Sequence, residues 1–263
     1  MDRRRIWRRI RRIWIALGLS STAVFVGWSL IAFRASPAAV MASESDAAVT
    51  VEHRDGIWIF SPKLAPSAHR PALIFFPGAL VNPIAYAPLL RAAATAGYSA
   101  YLVELPRRGA LGGADDPALA RRFDRLLSSP STPRTWVIAG HSRGAVVAST
   151  LASQQRTGFA GLVLIGSSHP RDVDLSALRI PVTKVVGTRD GLASPEEVEA
   201  NRSKLPAHTR WVWIQGGNHS QFGWYGFQPG DHRATIDASL QRALMIGAVL
   251  DVLRNASVGA PAS

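Results

Sequence analysis

From residue 49 onward the chain alternates between two hydrophobic rhythms. Mostly apolar strand-like runs recur at "PALIFFPG" (71–78, continuously apolar), "YSAYLVELP" (98–106), "RTWVIAG" (134–140), "GLVLIGS" (161–167), "PVTKVVGT" (181–188) and "TRWVWIQ" (209–215), most of them closed by Gly, Pro or a polar residue. Short runs without polar alternation are what strands buried on both faces require. Between them lie Ala- and Leu-rich segments at 83–96, 116–128, 143–156, 194–203 and 233–254, several stopping just before a glycine, as helices do. Ahead of the series, "VTVEHRDGIWIFSP" (49–62) reads as two strands joined at Asp55-Gly56. Alternation of this kind predicts an α/β domain: a mostly parallel sheet with helices on both faces. The chain has no internal repeat.

The first forty residues follow a different pattern. Seven arginines crowd residues 3–12, and residues 13–33 then carry no charge. About twenty apolar residues span the hydrocarbon of a bilayer, and a secretory h-region is shorter. The segment reads as a transmembrane signal-anchor at 13–33, with the basic residues 1–12 cytoplasmic and the following domain on the non-cytoplasmic side. The alternative is a cleaved signal peptide with a secreted or periplasmic product, for which the small residues at 36–42 leave room. Residues 34–48, small and polar, read as a linker. Residues 49–256 form the domain and 257–263 a flexible tail.

The net charge of +12 changes little in this picture. Residues 1–34 hold eight Arg against one Asp, so more than half of the excess belongs to the N-terminus. A nucleic-acid-binding arm would not need the apolar run that follows, and no nucleic-acid partner is expected. The chain has no cysteine, which excludes disulfides, thiolate zinc sites and a Cys nucleophile. No metal cluster, dinucleotide loop or phosphate loop is evident, and no cofactor is expected.

The chemistry starts from "AGHSRGAVVAS" (139–149), where Gly140, Ser142 and Gly144 spell G-x-S-x-G. Alone the pattern is weak. Here it falls between a buried strand and a helix, so Ser142 stands on a sharp turn at the carboxyl end of the sheet. The following helix N-terminus directs partial positive charge at that point. A serine nucleophile needs a base and an acid that orients it. Asp190 follows the strand at 181–188 and His219 follows the strand at 209–215, both at the same edge and in the order Ser, Asp, His. His169, with Asp172 and Asp174 nearby, is a rival base whose place inverts that order. His141 reads as local packing, His232 with Asp231 as a capping pair, and His53, His69 and His208 as surface residues. An oxyanion formed at Ser142 needs backbone N–H donors. Arg143, next after the serine, supplies one; the loop after 71–78 supplies the other, from Ala79 first and Leu80 second.

Four stretches carry a family resemblance: "FFPGALVNPIAYAPLLRAAATAGY" (75–98), "GHSRG" (140–144), "GTRDGLASPEEVEANRSKLP" (187–206) and "GGNHSQFGWYGFQPGD" (216–231). On these the domain resembles the alpha/beta hydrolases, specifically the fifth alpha/beta-hydrolase fold family, related to dienelactone hydrolases. The resemblance implies Ser142 as nucleophile, Asp190 as acid and His219 as base. It departs at Ala145, where such elbows often have a second glycine.

Residues 167–180 leave no room for a large lid before the next strand, and a lidless site favours short acyl groups. Leu80, His141, Phe222 and Trp224 are candidates for the substrate pocket. Arg143 would either receive a substrate carboxylate or pair with a neighbouring acid, and Arg107 and Arg108 sit in a glycine-rich loop at 106–117. The expectation is a membrane-anchored serine hydrolase acting on small esters, thioesters or lactones. The alternative is a catalytically silent hydrolase-like domain that binds a ligand at the cell envelope.

Overall fold

The computed structural model describes residues 3–64, 70–110, 115–128, 133–154 and 158–258. Their sheet has eight strands: β1 (Val49–Arg54), β2 (Ile57–Pro62), β3 (Ala72–Phe76), β4 (Ala100–Val103), β5 (Trp136–His141), β6 (Phe159–Ile165), β7 (Val182–Gly187) and β8 (Arg210–Ile214). They lie in the order β1-β2-β4-β3-β5-β6-β7-β8. The hairpin β1–β2 joins β4 antiparallel, and every other pairing is parallel.

β3, β4, β5 and β7 are buried at every position, as mostly apolar runs require, although β7 also buries Thr183 and Lys184. Alternate side chains feed two separate cores. Leu73, Phe75, Val137 and Ala139 pack beneath α3 (Ala87–Thr95) and α7 (Ala238–Val258). Ile74, Phe76 and Ile138 pack beneath α4 (Pro117–Ser128) and α5 (Arg143–Ser153). This two-residue alternation is the strand period. Residues 166–181, between β6 and β7, contain no helix, so no lid domain is inserted there.

The N-terminal reading changes in one respect. A single helix, α1 (Arg3–Ala32), carries both the basic segment and the apolar run, and its residues 6–32 are long and apolar enough to cross a membrane. The stretch read as a linker is folded onto the domain. Ser36 caps a short helix, α2 (Pro37–Ala42), and Phe33 is 2% exposed within the α3–α7 core. Composition suggested a spacer because the residues after Phe33 are small. Their smallness instead allows close packing, and Arg91 of α3 donates to Ala42 O. At the other end, Ser257 and Val258 belong to α7, while residues 259–263 lie outside the described residues.

Candidate active site

Ser142 sits between β5 and α5 with φ 52° and ψ −116°, a backbone conformation that costs a non-glycine residue of order 1–3 kcal/mol. The flanking glycines serve close approach. A Cβ on Gly144 would lie 2.0 Å from Phe76 O, and one on Gly140 would lie 2.3 Å from the Gly144 carbonyl. Strand, turn and helix therefore fit together only with hydrogen at both positions.

The loops after β7 and β8 bring Asp190 and His219 together. Asp190 is 1% exposed and accepts from Leu192 N at 2.9 Å and Ala193 N at 2.7 Å. His219 is equally buried, and its Nδ1 lies 2.9 Å from Asp190 Oδ2. A carboxylate only accepts, so Nδ1 carries the proton and Nε2 holds the free lone pair. That Nε2 makes no hydrogen bond among the described residues. Ser142 and His219 line one cleft of about 230 Å³, together with Arg143, Val146, residues 166–169, Arg171, Leu192 and Ala193.

His141 is fully buried behind this pair, its ring centroid 4.5 Å from that of His219. Gly78 N–H donates to Tyr86 Oη at 3.2 Å, and Tyr86 Oη is hydrogen-bonded to His141 Nδ1 at 2.7 Å. Burial, and then the charge His219 would carry, holds His141 well below the usual imidazole range. His141 is thus a neutral partner that does not compete for the proton of His219.

The loop after β3 presents Ala79 between two engaged neighbours. Gly78 N–H is held by Tyr86, and Leu80 N–H donates to Arg108 O at 2.7 Å. Ala79 N–H has no partner among the described residues. Three successive left-handed residues, Arg107, Arg108 and Gly109 (φ 49°, 52° and 69°), brace this loop. A Cβ on Gly109 would stand 3.6 Å from Ala79 Cα and 3.4 Å from Arg143 Cγ.

Of the four pocket candidates, none lines the cleft. His141 is tied to Tyr86, and Phe222 is fully buried against the His141 ring. Trp224 lies under the Arg242 guanidinium, 4.7 Å from its ring centroid. Leu80 packs on the α3–α7 core. The cleft wall is built instead by residues 166–169 with Arg171. His169 stands in it, 3.8 Å from Asp172, while Asp174 caps its own loop through Ser176 N.

Asp231 was read as a helix-capping residue, and the structure gives it another place. Its Oδ1 accepts from Gly191 N, His219 N and His232 N at 3.0, 3.2 and 2.9 Å. Its Oδ2 accepts from Ser220 N and Ser220 Oγ at 2.8 and 2.7 Å. One carboxylate thereby joins the loop bearing Asp190 to the loop bearing His219. The helix begins later, at Ala238.

No curated protein sequence matches the chain. Among solved structures, a dienelactone hydrolase-like promiscuous phosphotriesterase from metagenomic libraries superposes with a TM-score of 0.58 at 18% identity, covering 80% of this chain and 99% of that one. Ferulic acid esterase from Streptomyces cinnamoneus gives 0.56 at 20% identity over 76% and 70% of the two chains. A thioesterase domain from the curacin biosynthetic pathway gives 0.52 at 14% identity over 76% and 100%. Likeness at such identities establishes the fold alone. The profile of the alpha/beta hydrolase family matches residues 72–243. That span takes in β3 to the start of α7, with both turns that carry Ser142 and His219 and the acid loop between them, and the chain belongs to the alpha/beta hydrolase family.

Proposed function

We propose that this protein is a membrane-anchored serine hydrolase that cleaves carboxylic esters, thioesters or lactones. The carrying observation is that a paired Asp190–His219 whose Nε2 makes no hydrogen bond among the described residues shares one cleft with a serine on a strained strand-to-helix turn. In this reading Ser142 Oγ attacks the acyl carbonyl while His219 Nε2 takes its proton. The oxyanion that forms is met by the N–H groups of Ala79 and Arg143. Collapse breaks the bond to the leaving oxygen or sulfur, which receives the proton from His219. Water, deprotonated by the same Nε2, then releases the acid from the acyl-enzyme. Asp190 holds the imidazole in the tautomer that this cycle needs.

The anchor reading rests on α1, with its arginines at the N-terminal end and hence on the cytoplasmic side. Phe33 in the core favours an uncleaved anchor over a cleaved signal.

Hydrolysis of p-nitrophenyl butyrate by the full chain tests the chemistry. Ser142→Ala and His219→Ala each lower kcat by about 10⁴-fold or more, since such residues act as a unit. Near-wild-type turnover in His219→Ala, with loss in His169→Ala, would move the base to His169.

A further inference from the structure

The apolar run of α1 ends where the catalytic edge of the domain begins. Residues 13–33 measure about 31 Å as a helix, against roughly 30 Å of bilayer hydrocarbon. On the anchor reading the helix therefore leaves the bilayer close to where it joins the domain, beside Phe33 and Arg34. At this point three backbone hydrogen bonds stitch the chain to the domain. Gly226 N donates to Ala32 O at 3.2 Å, Asn82 N to Phe33 O at 2.9 Å, and Ser36 N to Trp224 O at 2.8 Å. A Cβ on Gly226 would lie 2.5 Å from Ala32 O, so the contact admits only glycine. The Phe33 ring packs edge-on against Tyr225.

Both loops in this seam lie at the carboxyl edge of the sheet. Asn82 follows Ala79 after β3, and residues 224–226 follow His219 after β8. From the seam, the second loop runs to the mouth of the cleft. Phe227, next after Gly226, is 51% exposed. Gly230, further along, packs against Leu192, which is 40% exposed and lines the cleft. Val40 and Met41 of α2, shortly after the seam, are also exposed. The anchor exit is thus linked to the cleft along one loop, from Gly226 through the exposed Phe227 to Leu192, and Arg34 at the seam is exposed.

We infer that the cleft opens onto the surface of the membrane from which α1 emerges, and that the substrate is an amphiphilic ester held in that bilayer. This rests on the serine-hydrolase reading for its chemistry and on the anchor for its geometry. A rigid seam without a spacer holds the cleft mouth at headgroup depth, where the ester of an acyl lipid lies. The acyl chain stays in the hydrocarbon, so neither a lid nor a deep pocket is needed to shelter it. The short-chain preference expected of a lidless site then applies only to esters dissolved in water.

The chain has no cysteine, so single labels are unambiguous. Full-length Phe227→Cys and His208→Cys, each carrying the fluorophore NBD, are reconstituted in phosphatidylcholine vesicles with a minor fraction of phosphatidylglycerol. His208 is exposed at the opposite edge, ahead of β8. A doxyl-labelled phosphatidylcholine quenches the label at 227 and leaves that at 208 unaffected. Quenching at both positions, at neither, or at 208 alone overturns the orientation. So does shielding of the label at 227 that grows with protein density rather than with lipid, which assigns the face to a second copy.

The wild-type full chain is then given 4-methylumbelliferyl palmitate, either in its own vesicles or in separate ones. Sharing a membrane raises the effective concentration, and turnover is at least about ten-fold faster in the shared vesicles. Equal rates, or no palmitate turnover while soluble 4-methylumbelliferyl butyrate is cleaved, overturn the substrate assignment. Failure to cleave butyrate refutes the serine-hydrolase reading instead, and the quenching data still decide the orientation.

Discussion

Asp231→Asn is the most informative substitution outside the cleft. The carboxylate accepts five donors, of which His219 N and Ser220 N belong to residues only 1% and 5% exposed. An asparagine keeps one carbonyl oxygen and turns an N–H₂ toward donors that need an acceptor. Each buried donor left unsatisfied costs about 1–3 kcal/mol. Water reaches His232 and, in part, Gly191, which limits the loss there. A net destabilisation of about 2–4 kcal/mol lowers Tm by roughly 5–15 °C for a domain of this size. The kinetic effect is separable from the thermal one. Asp231 does not line the cleft, so KM for p-nitrophenyl butyrate stays within about three-fold, whereas loss of the bond to His219 N shifts the imidazole, and displacements near 1 Å cost about 10²-fold in rate. Steady-state kinetics on the detergent-solubilised full chain, run well below the variant's Tm, show kcat reduced about 10–100-fold. A kcat within two-fold of wild type, or a loss that only tracks the unfolded fraction, would refute the positioning role.

Lys184 gives a pH-dependent test. It is 1% exposed in β7, donates to His169 O, and is pushed down by burial to about 7, with Asp190 acting in the opposite sense. The unfolded chain holds this amine near 10.4. Between these values the unfolded state binds more protons, so the Lys184 contribution to stability rises with pH from about 7 to 10. Lys184→Met is therefore more stable than wild type at pH 7 by urea midpoint, and the gap narrows toward pH 10; a gap independent of pH contradicts the assignment. Phe33→Ala removes a ring from the core and destabilises the full chain by about 3–5 kcal/mol, measured by thermal unfolding. An unchanged Tm would return residues 34–48 to the role of a spacer.

The order of strands and helices was legible because β3 and β5 are buried on both faces and largely lack polar interruptions, and β7 stays mostly apolar around Thr183 and Lys184. Ser142, Asp190 and His219 were legible for a related reason. Each stands just beyond the end of a strand, so strand ends located the edge they share. Asp231 was hidden. In "QPGD" it looks like an ordinary turn residue, and the five donors that surround it come from residues 191, 219, 220 and 232, brought together only by the fold. The pocket candidates failed because aromatic residues beside a catalytic motif do not reveal which partner they pack on. Phe222 is buried against His141 and Trp224 lies under Arg242, contacts across many residues of sequence. The signal for the cleft wall was present in His169, placed after a strand at the same edge. The linker reading gave weight to small residues and overlooked Phe33, a large apolar side chain just before them.

Phosphonylation of the full chain by a fluorophosphonate, read by intact mass and peptide mapping, tests the central claim most directly. The account predicts one adduct, on Ser142, formed rapidly by wild type, absent in Ser142→Ala and strongly slowed in His219→Ala. Complete absence of labelling in the folded wild type, or an adduct on another serine that survives Ser142→Ala, would contradict it.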